Sequence, residues 1–232
     1  LIFAIRPVAS DISFTDERSA AFYDGEWFAK RPPPASLYSN QDGALRLQRG
    51  GDLATSNHKF TKGQLPLLSG KNGFYIEVTY RIDNAASSNW PAVWLMPAEH
   101  DALKRDHVDD TPPGFEQWME VDIDEGGFGP GLTGTVHAWS GIWPNYRQLQ
   151  NPNNICKEPL NRTEWHTYGV SFSPEKREVS WWLDGYKQIT AGAPFVPDIA
   201  TQHHYYLLVS ANSHEGVADY GMTISQVRAF GP

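Results

Sequence analysis

"GFYIEVTYRI", residues 73–82, sorts its side chains into two sets. Phe74, Ile76, Val78 and Tyr80 fall on one side of an extended chain, and Tyr75, Glu77, Thr79 and Arg81 on the other. Successive strand side chains point to opposite faces, so this is a strand with one face in a core and one wet. Eight further runs share its character: "ALRLQ" (44–48), "AVWLM" (92–96), "WMEVDID" (118–124), "TGTVHAW" (133–139), "WHTYGVSF" (165–172), "EVSWWLDG" (178–185), "HYYLLVSA" (204–211) and "MTISQVRAF" (222–230). They are short, rich in β-branched and aromatic residues, and divided by Gly, Pro, Asn and Asp, as strands are. "AVWLM" and "YYLLV" are continuously apolar, which suits central strands covered on both faces. No helical stripe exceeds two turns; "AEHDALKRDH" (98–107) is predicted to form one short helix. "RPPPAS" (31–36) reads as an extended loop and "FGPGLTG" (128–134) as a turn. Many strands with almost no helix predict an all-β sandwich or barrel, and a two-sheet sandwich accommodates both kinds of strand.

The bulk numbers narrow the function. At 232 residues, with no repeat and no linker-like segment, residues 1–232 are expected to form a single domain. Nine Trp are many for this length, and indole faces serve both sheet cores and carbohydrate clefts. A net charge of −8 and no basic stripe argue against nucleic acid and against strongly anionic polymers. The lone Cys156 excludes an intrachain disulfide and reads as a structural thiol. No run of about 18 apolar residues is present, so no membrane span is expected. "LIFAI" (1–5) is a first strand or the remnant of a trimmed leader, and Asn161-Arg162-Thr163 is a glycosylation sequon.

Carboxylates crowd one place. "MEVDIDEGG" (119–127) carries Glu120, Asp122, Asp124 and Glu125 among strand-forming residues. In a regular strand Glu120, Asp122 and Asp124 share a face and Glu125 faces away, which would make Asp124 the acid. A bulge at Ile123–Asp124 would instead bring Glu125 to the side of Glu120 and Asp122, and the following Gly126-Gly127 makes such a distortion cheap. Asp124 would then turn to the opposite side with a partner, or be exposed. With the bulge counted, the two glutamates stand about 13 Å apart at roughly 3.3 Å per step. Side chains leaning inward shorten that toward the ~5–5.5 Å between the two carboxyls of a retaining glycosidase. Asp122 lies between them, placed to hold a proton and hydrogen-bond Glu120. A solvated acidic face and a cation site are the alternatives; calcium would want turn-spaced ligands, whereas these alternate with Met119, Val121 and Ile123.

"E-V-D-I-D-E" (120–125) resembles the E-x-D-x-x-E signature of glycoside hydrolase family 16, a β-jelly-roll sandwich of two antiparallel sheets with a concave substrate cleft, of the concanavalin A-like lectin/glucanase type. "NWPAVWLMP" (89–97) resembles that family's G-x-W-P-A-[FL]-W-L-L-P segment, and "EWHTYGVSFSPEKREVSWWLDG" (164–185) its hairpin ending in D-G. "GTVHAW" (134–139) and "MTISQVRAF" (222–230) resemble the strand after the catalytic one and the closing strand, so the likeness runs from about residue 37 to 230. The spacing with one bulge residue is similar to the laminarinase, agarase and carrageenase branch. The resemblance implies endo-acting hydrolysis with retention, Glu120 as nucleophile and Glu125 as acid/base. The family's closing-strand Asp, which often helps bind a structural calcium, is Ser225 here, and no cofactor is expected. "SANSHEG" (210–216) departs from the family's cleft loop, and the bulge residue Asp124 from its usual apolar type.

Other candidates follow. Asn89 and Trp90 read as cleft-edge residues, and Trp94 as core or as a neighbour of the sugar beside the nucleophile. Trp118 shares the face of Glu120 and is a subsite floor or core. His137 is expected beside the acidic row, with Trp139 on the same face and Trp143 as a subsite cap in the loop "SGIWPNYRQ" (140–148). His166, Trp181 and Trp182 read as packing residues, and His203-His204 lacks zinc-ligand spacing. Segments 89–97, 118–125 and 134–147 offer only Arg147 as a cation, although Arg49, Arg81 or Arg105 could reach in from elsewhere. Sulfate groups would call for more cations. The expected partner is therefore a neutral polysaccharide, a β-1,3- or mixed-linkage β-glucan, with neutral β-galactan next, acted on by a secreted monomer. Transglycosylation would use the same residues, and a non-catalytic carbohydrate-binding protein of the same fold is the rival from another class.

Overall fold

The structure is a computed structural model describing residues 6–7, 23–24, 33–55, 67–100, 107–151, 158–214 and 219–231. Its strands are β1 (Arg6–Pro7), β2 (Tyr23–Asp24), β3 (Tyr38–Gln41), β4 (Ala44–Gln48), β5 (Asp52–Ala54), β6 (Leu68–Ser69), β7 (Phe74–Ile82) and β8 (Asn89–Pro97). They continue as β9 (Phe115–Glu125), β10 (Thr135–Ile142), β11 (Asn145–Gln150), β12 (His166–Ser173), β13 (Glu178–Leu183), β14 (Tyr186–Ala191), β15 (His204–Ser213) and β16 (Gly221–Gly231). One sheet runs β14-β13-β12-β7-β16-β4-β3 with β1 on β16, and the other β11-β10-β9-β8-β15-β5-β2 with β6 on β15. The pairings are antiparallel, giving the two-sheet jelly-roll sandwich expected from the alternation.

The alternating face of β7 meets the second sheet. Ile76, Val78 and Tyr80 pack in one cluster with Met119, Val121 and Ile123 of β9, Val93 and Leu95 of β8, and Leu207 and Val209 of β15. A separate cluster lies on the far side of the second sheet: Trp118, Met96, Tyr206, Leu208 and Ala54, with Trp94, Trp139 and Tyr146 packed against it. This is why β8 and β15 are apolar on both faces. One face builds the sandwich core and the other an aromatic floor beneath the cleft.

The unanticipated strands β1, β2, β3, β5, β6, β11 and β14 are short or polar pieces toward the sheet margins. β3–β4 and β13–β14 are joined by Asp42-Gly43 and Asp184-Gly185, whose φ angles of 52°, 78°, 51° and 81° are positive throughout. That is the backbone that two-residue hairpins need and Asp-Gly supplies. Of the helix expected over 98–107, residues 98–100 are helical and 101–106 lie outside the described residues. His107 instead bridges Glu116. Cys156, Arg105 and "LIFAI" also lie outside them.

Candidate active site

The bulge falls where the glycines suggested. Across β8, Ala92 pairs with Glu125, Val93 with Asp124 and Trp94 with Asp122, which leaves Ile123 as the extra residue. Ile123 and Asp124 are both fully buried toward the sandwich interior. Glu120, Asp122 and Glu125 are thereby left on the opposite, outer face of the sheet. β10 presents His137 directly across from Glu120, and Trp139 across from Trp118.

A hydrogen-bond network joins these groups. The indole N–H of Trp139 donates to Glu120 Oε2 at 2.8 Å. The indole N–H of Trp90 donates to Glu125 Oε1 at 3.0 Å. His137 Nε2 lies 2.7 Å from Asp122 Oδ2, and the amide nitrogen of Gln148 meets His137 Nδ1. Gln148 thus occupies the imidazole's acceptor nitrogen, which leaves the proton on Nε2 to point at Asp122. Asp122 also hydrogen-bonds Glu125, where the sequence suggested Glu120. Two carboxyls in one hydrogen bond hold a single proton between them.

Burial shapes the electrostatics. It is the largest cause at Glu120, Asp122 and Glu125, and it pushes all three carboxyls well above the usual range; the Asp122 charge raises the two glutamates further. Opposing this, His137 and the Trp139 N–H favour the Glu120 anion, and the Trp90 N–H that of Glu125. Burial pushes His137 down, so its neutral form prevails in this site. The three carboxyls therefore titrate as one unit, with some of them protonated at neutral pH. The arrangement can hold a proton on Glu125, donated toward Asp122, while the Trp139 N–H favours the anion that Glu120 becomes when it gives up its own proton. Glu120, Asp122 and His137 also place one potential metal-ligand atom each within 4.8 Å of one another. The imidazole Nε2 is already committed to Asp122, so the trio reads as part of the network.

Beneath it, Trp181 holds the strand. Its indole N–H reaches the Asp122 carbonyl at 2.8 Å. The ring lies where any Cβ at residue 134 would stand 2.1 Å from its nitrogen, so only glycine fits at Gly134. The packing role expected of Trp181 is therefore also a brace for the acidic row.

The remaining candidates divide. Trp94 is half-buried on the cleft face, 3.5 Å from Ser210 Oγ. Trp118 is only 4% exposed, sandwiched by His100 and Trp139 with ring centroids at 3.6 and 5.8 Å, so it supports Trp139 from below and offers a sugar no free face. Trp143, 75% exposed, leans on Tyr146 at the tip of the β10–β11 hairpin. Asn89 corrects the cleft-edge expectation. β8 starts at Asn89, three residues before the predicted strand, and alternation turns its side chain inward with Val93. There it is 1% exposed and donates to the Asn84 carbonyl at 2.5 Å. Arg147 likewise faces away, because its neighbours Tyr146 and Gln148 take the cleft side. His166 bonds Asp184, and Trp182 bonds Ser171, as packing residues do.

Asp52 was not anticipated. It lies on β5 and pairs with Ser210 of β15, extending the row that runs Glu125, Ala92, Ser210 across the sheet. Burial pushes its carboxyl up to about 6, against a hydrogen bond from Ser210. "GGDLAT" (50–55) is too short a run to announce a strand, and nothing in it places Asp52 on the cleft face.

Fold and face together define a two-sheet jelly-roll sandwich whose second sheet carries an acidic, aromatic-lined outer face. No family model matches the chain. A curated β-glucanase of Rhodothermus marinus is 28% identical over 135 residues, 56% of this chain, and the chain spans 40% of the length of that relative. The β-porphyranase of the human gut bacterium Bacteroides plebeius superposes with a TM-score of 0.66 at 15% identity, over 95% of this chain and 89% of that one. A glycoside hydrolase family 16 endo-glucanase from Bacteroides ovatus gives 0.57 at 15% identity, over 95% and 99%. The resemblance read from the sequence is borne out at this level: the fold is that of glycoside hydrolase family 16.

Proposed function

We propose that this chain is an endo-acting glycoside hydrolase of the bulged family 16 branch, cleaving with retention by double displacement. One observation carries the reading: the Ile123 bulge sets Glu120 and Glu125 on one face, with Asp122 hydrogen-bonded to Glu125 and braced by His137. Glu120 attacks the anomeric carbon while Glu125 gives its proton to the departing glycosidic oxygen. Glu125, now an anion, takes a proton from water, which attacks the glycosyl–Glu120 ester and releases the sugar with its original anomeric configuration. The Trp139 N–H steadies Glu120 as an anion before attack. The hydrogen bond to Asp122, itself held by His137, keeps the acid's proton at Glu125.

The substrate we propose is a neutral β-1,3- or mixed-linkage β-glucan. Among the described residues of β5, β8–β11 and β15, no side chain on the cleft face is Lys or Arg, whereas sulfate esters call for cationic donors. Arg49 pairs with Asp219, and Arg81 lies over Trp165. Trp139, Trp94 and Trp143 offer indole faces for neutral rings. A polysaccharide does not cross a membrane, so the proposed site of action is outside the cell, with the chain acting as a monomer. Reducing-end release from laminarin, lichenan, agarose, carrageenan and β-1,3-galactan tests the substrate. Release from laminarin or lichenan is expected; strong activity on carrageenan with none on laminarin would contradict the argument from charge.

A further inference from the structure

Asp124 and Glu125 are adjacent carboxylates, and the strand's register alone decides which of them faces the cleft. We propose that the buried Asp124–Arg162 pair is the device that fixes this choice, a positioning element for Glu125 built into the sandwich interior. The inference rests on the proposed role of Glu125 as the acid/base.

The contacts converge on one side chain. Asp124 is fully buried and Arg162 is 5% exposed. Oδ1 of Asp124 accepts from Arg162 Nη2 at 2.9 Å and from the Thr133 backbone N–H at 3.0 Å. Oδ2 accepts from Arg162 Nη1 and from the Tyr80 hydroxyl. Arg162 in turn donates to the Gly131 carbonyl at 2.8 Å and lies over the Tyr168 ring. Its own carbonyl accepts from Ile82 N–H at 2.9 Å. One carboxylate thereby ties the end of β9 to β7 of the other sheet, to the turn before β12 and to the returning segment 131–133.

That segment is the other half of the clamp. The Glu125 N–H donates to the Thr133 carbonyl at 2.8 Å, while the Thr133 N–H donates to Asp124. Thr133 therefore holds both residues of the pair in their opposite orientations. A strand without the bulge would send Asp124 to the cleft and Glu125 inward to Arg162. The enclosed space among Tyr80, Thr133 and Arg162 is occupied by the shorter acid, and its four donors reach both oxygens. A buried charge pair is often replaceable by apolar residues without loss of stability, so its use here is better sought in the conformation it selects.

The test uses Asp124→Asn, which keeps the shape, and the double variant Asp124→Leu/Arg162→Met, which keeps an apolar interior should the single variant fail to fold. Two readouts apply. Amide hydrogen exchange by NMR is expected to show Glu125 and Thr133 losing protection by at least ~10-fold while the rest of β9 and β10 keeps it. Hydrolysis is compared between a β-glucan, whose leaving group needs a proton, and a 2,4-dinitrophenyl oligoglucoside, whose leaving group does not. A displaced acid lowers kcat/KM on the polymer by at least ~10-fold and spares kcat/KM on the aryl glycoside, because kcat/KM reports the first step and that leaving group needs no proton there. Glu125→Ala serves as the reference for that selective loss. Unchanged protection, or an equal fall on both substrates, would overturn the proposal. If wild-type protein cleaves no glucan, or Glu125→Ala shows no selective loss, while the exchange result holds, the proposed activity fails and the register assignment stands.

Discussion

His137 and Asp122 meet across the β9–β10 pair, with Nε2 2.7 Å from Oδ2, and Gln148 holds the far side of the imidazole. This bond links the central carboxylate to a neutral donor in a place where burial disfavours every charge. Asp122 can then remain an anion while its other partner, Glu125, keeps a proton.

His137→Phe removes that donor and keeps a ring of similar size. A hydrogen bond to a charged group contributes ~1.5–3 kcal/mol, so kcat/KM is expected to fall roughly 10- to 100-fold. Losing a donor to the anion raises the carboxyl's proton affinity, so the acidic limb of the pH–rate profile is expected to move to higher pH. A variant with the wild-type profile would mean that the contact is only structural.

Trp139→Phe tests the brace on Glu120 in the same currency. The indole N–H at 2.8 Å is lost while the stacked ring beside Trp118 is kept. A fall of roughly tenfold or more in kcat is expected, with a melting temperature close to wild type.

The carboxyls also leave a mark on stability. Glu120 is raised to about 8, first by burial, so the folded state holds a proton that the unfolded chain gives up from pH ~4.5 upward. Its contribution is therefore neutral at low pH, turns unfavourable as pH rises from about 4.5 to about 8, and is constant above. Glu120→Gln removes it. The variant is expected to gain on wild type between pH 5 and 8 by about 1–3 kcal/mol, given that the three carboxyls share their protons. Urea unfolding at both pH values measures this; a difference that does not grow with pH would contradict the raised carboxyl.

Two tryptophans of one aromatic path should respond differently. Trp118→Ala empties a site that is 4% exposed and is expected to cost about 3–5 kcal/mol of stability. Trp143 is 75% exposed, so Trp143→Ala is expected to leave the melting temperature unchanged and to raise KM a few-fold on long glucans only. Equal KM values on short and long substrates would remove Trp143 from the cleft.

The strands most legible in the sequence were those with a buried face. β7 shows clean alternation, and β8 and β15 read as apolar runs because both of their faces are covered. The bulge was legible too, since two adjacent acids precede a Gly-Gly pair. Polar edges were not: "NYRQLQ" of β11 buries little and has no pattern to read. Asn89 was misplaced because a strand's start decides the parity of every side chain after it. The partner of Asp124 was invisible for another reason. Arg162 sits in a sequon-bearing turn 38 positions away, and no local pattern encodes so distant an ion pair.

Trapping the glycosyl-enzyme tests the central claim most directly. Wild-type protein is incubated with a 2-deoxy-2-fluoro β-glucan oligosaccharide bearing a dinitrophenyl leaving group, digested, and mapped by mass spectrometry. The account predicts a single sugar adduct on Glu120, formed also by a Glu125→Ala variant because this leaving group needs no proton. An adduct on Asp122, Asp124 or Glu125, or early hydrolysis products of inverted anomeric configuration, would contradict it.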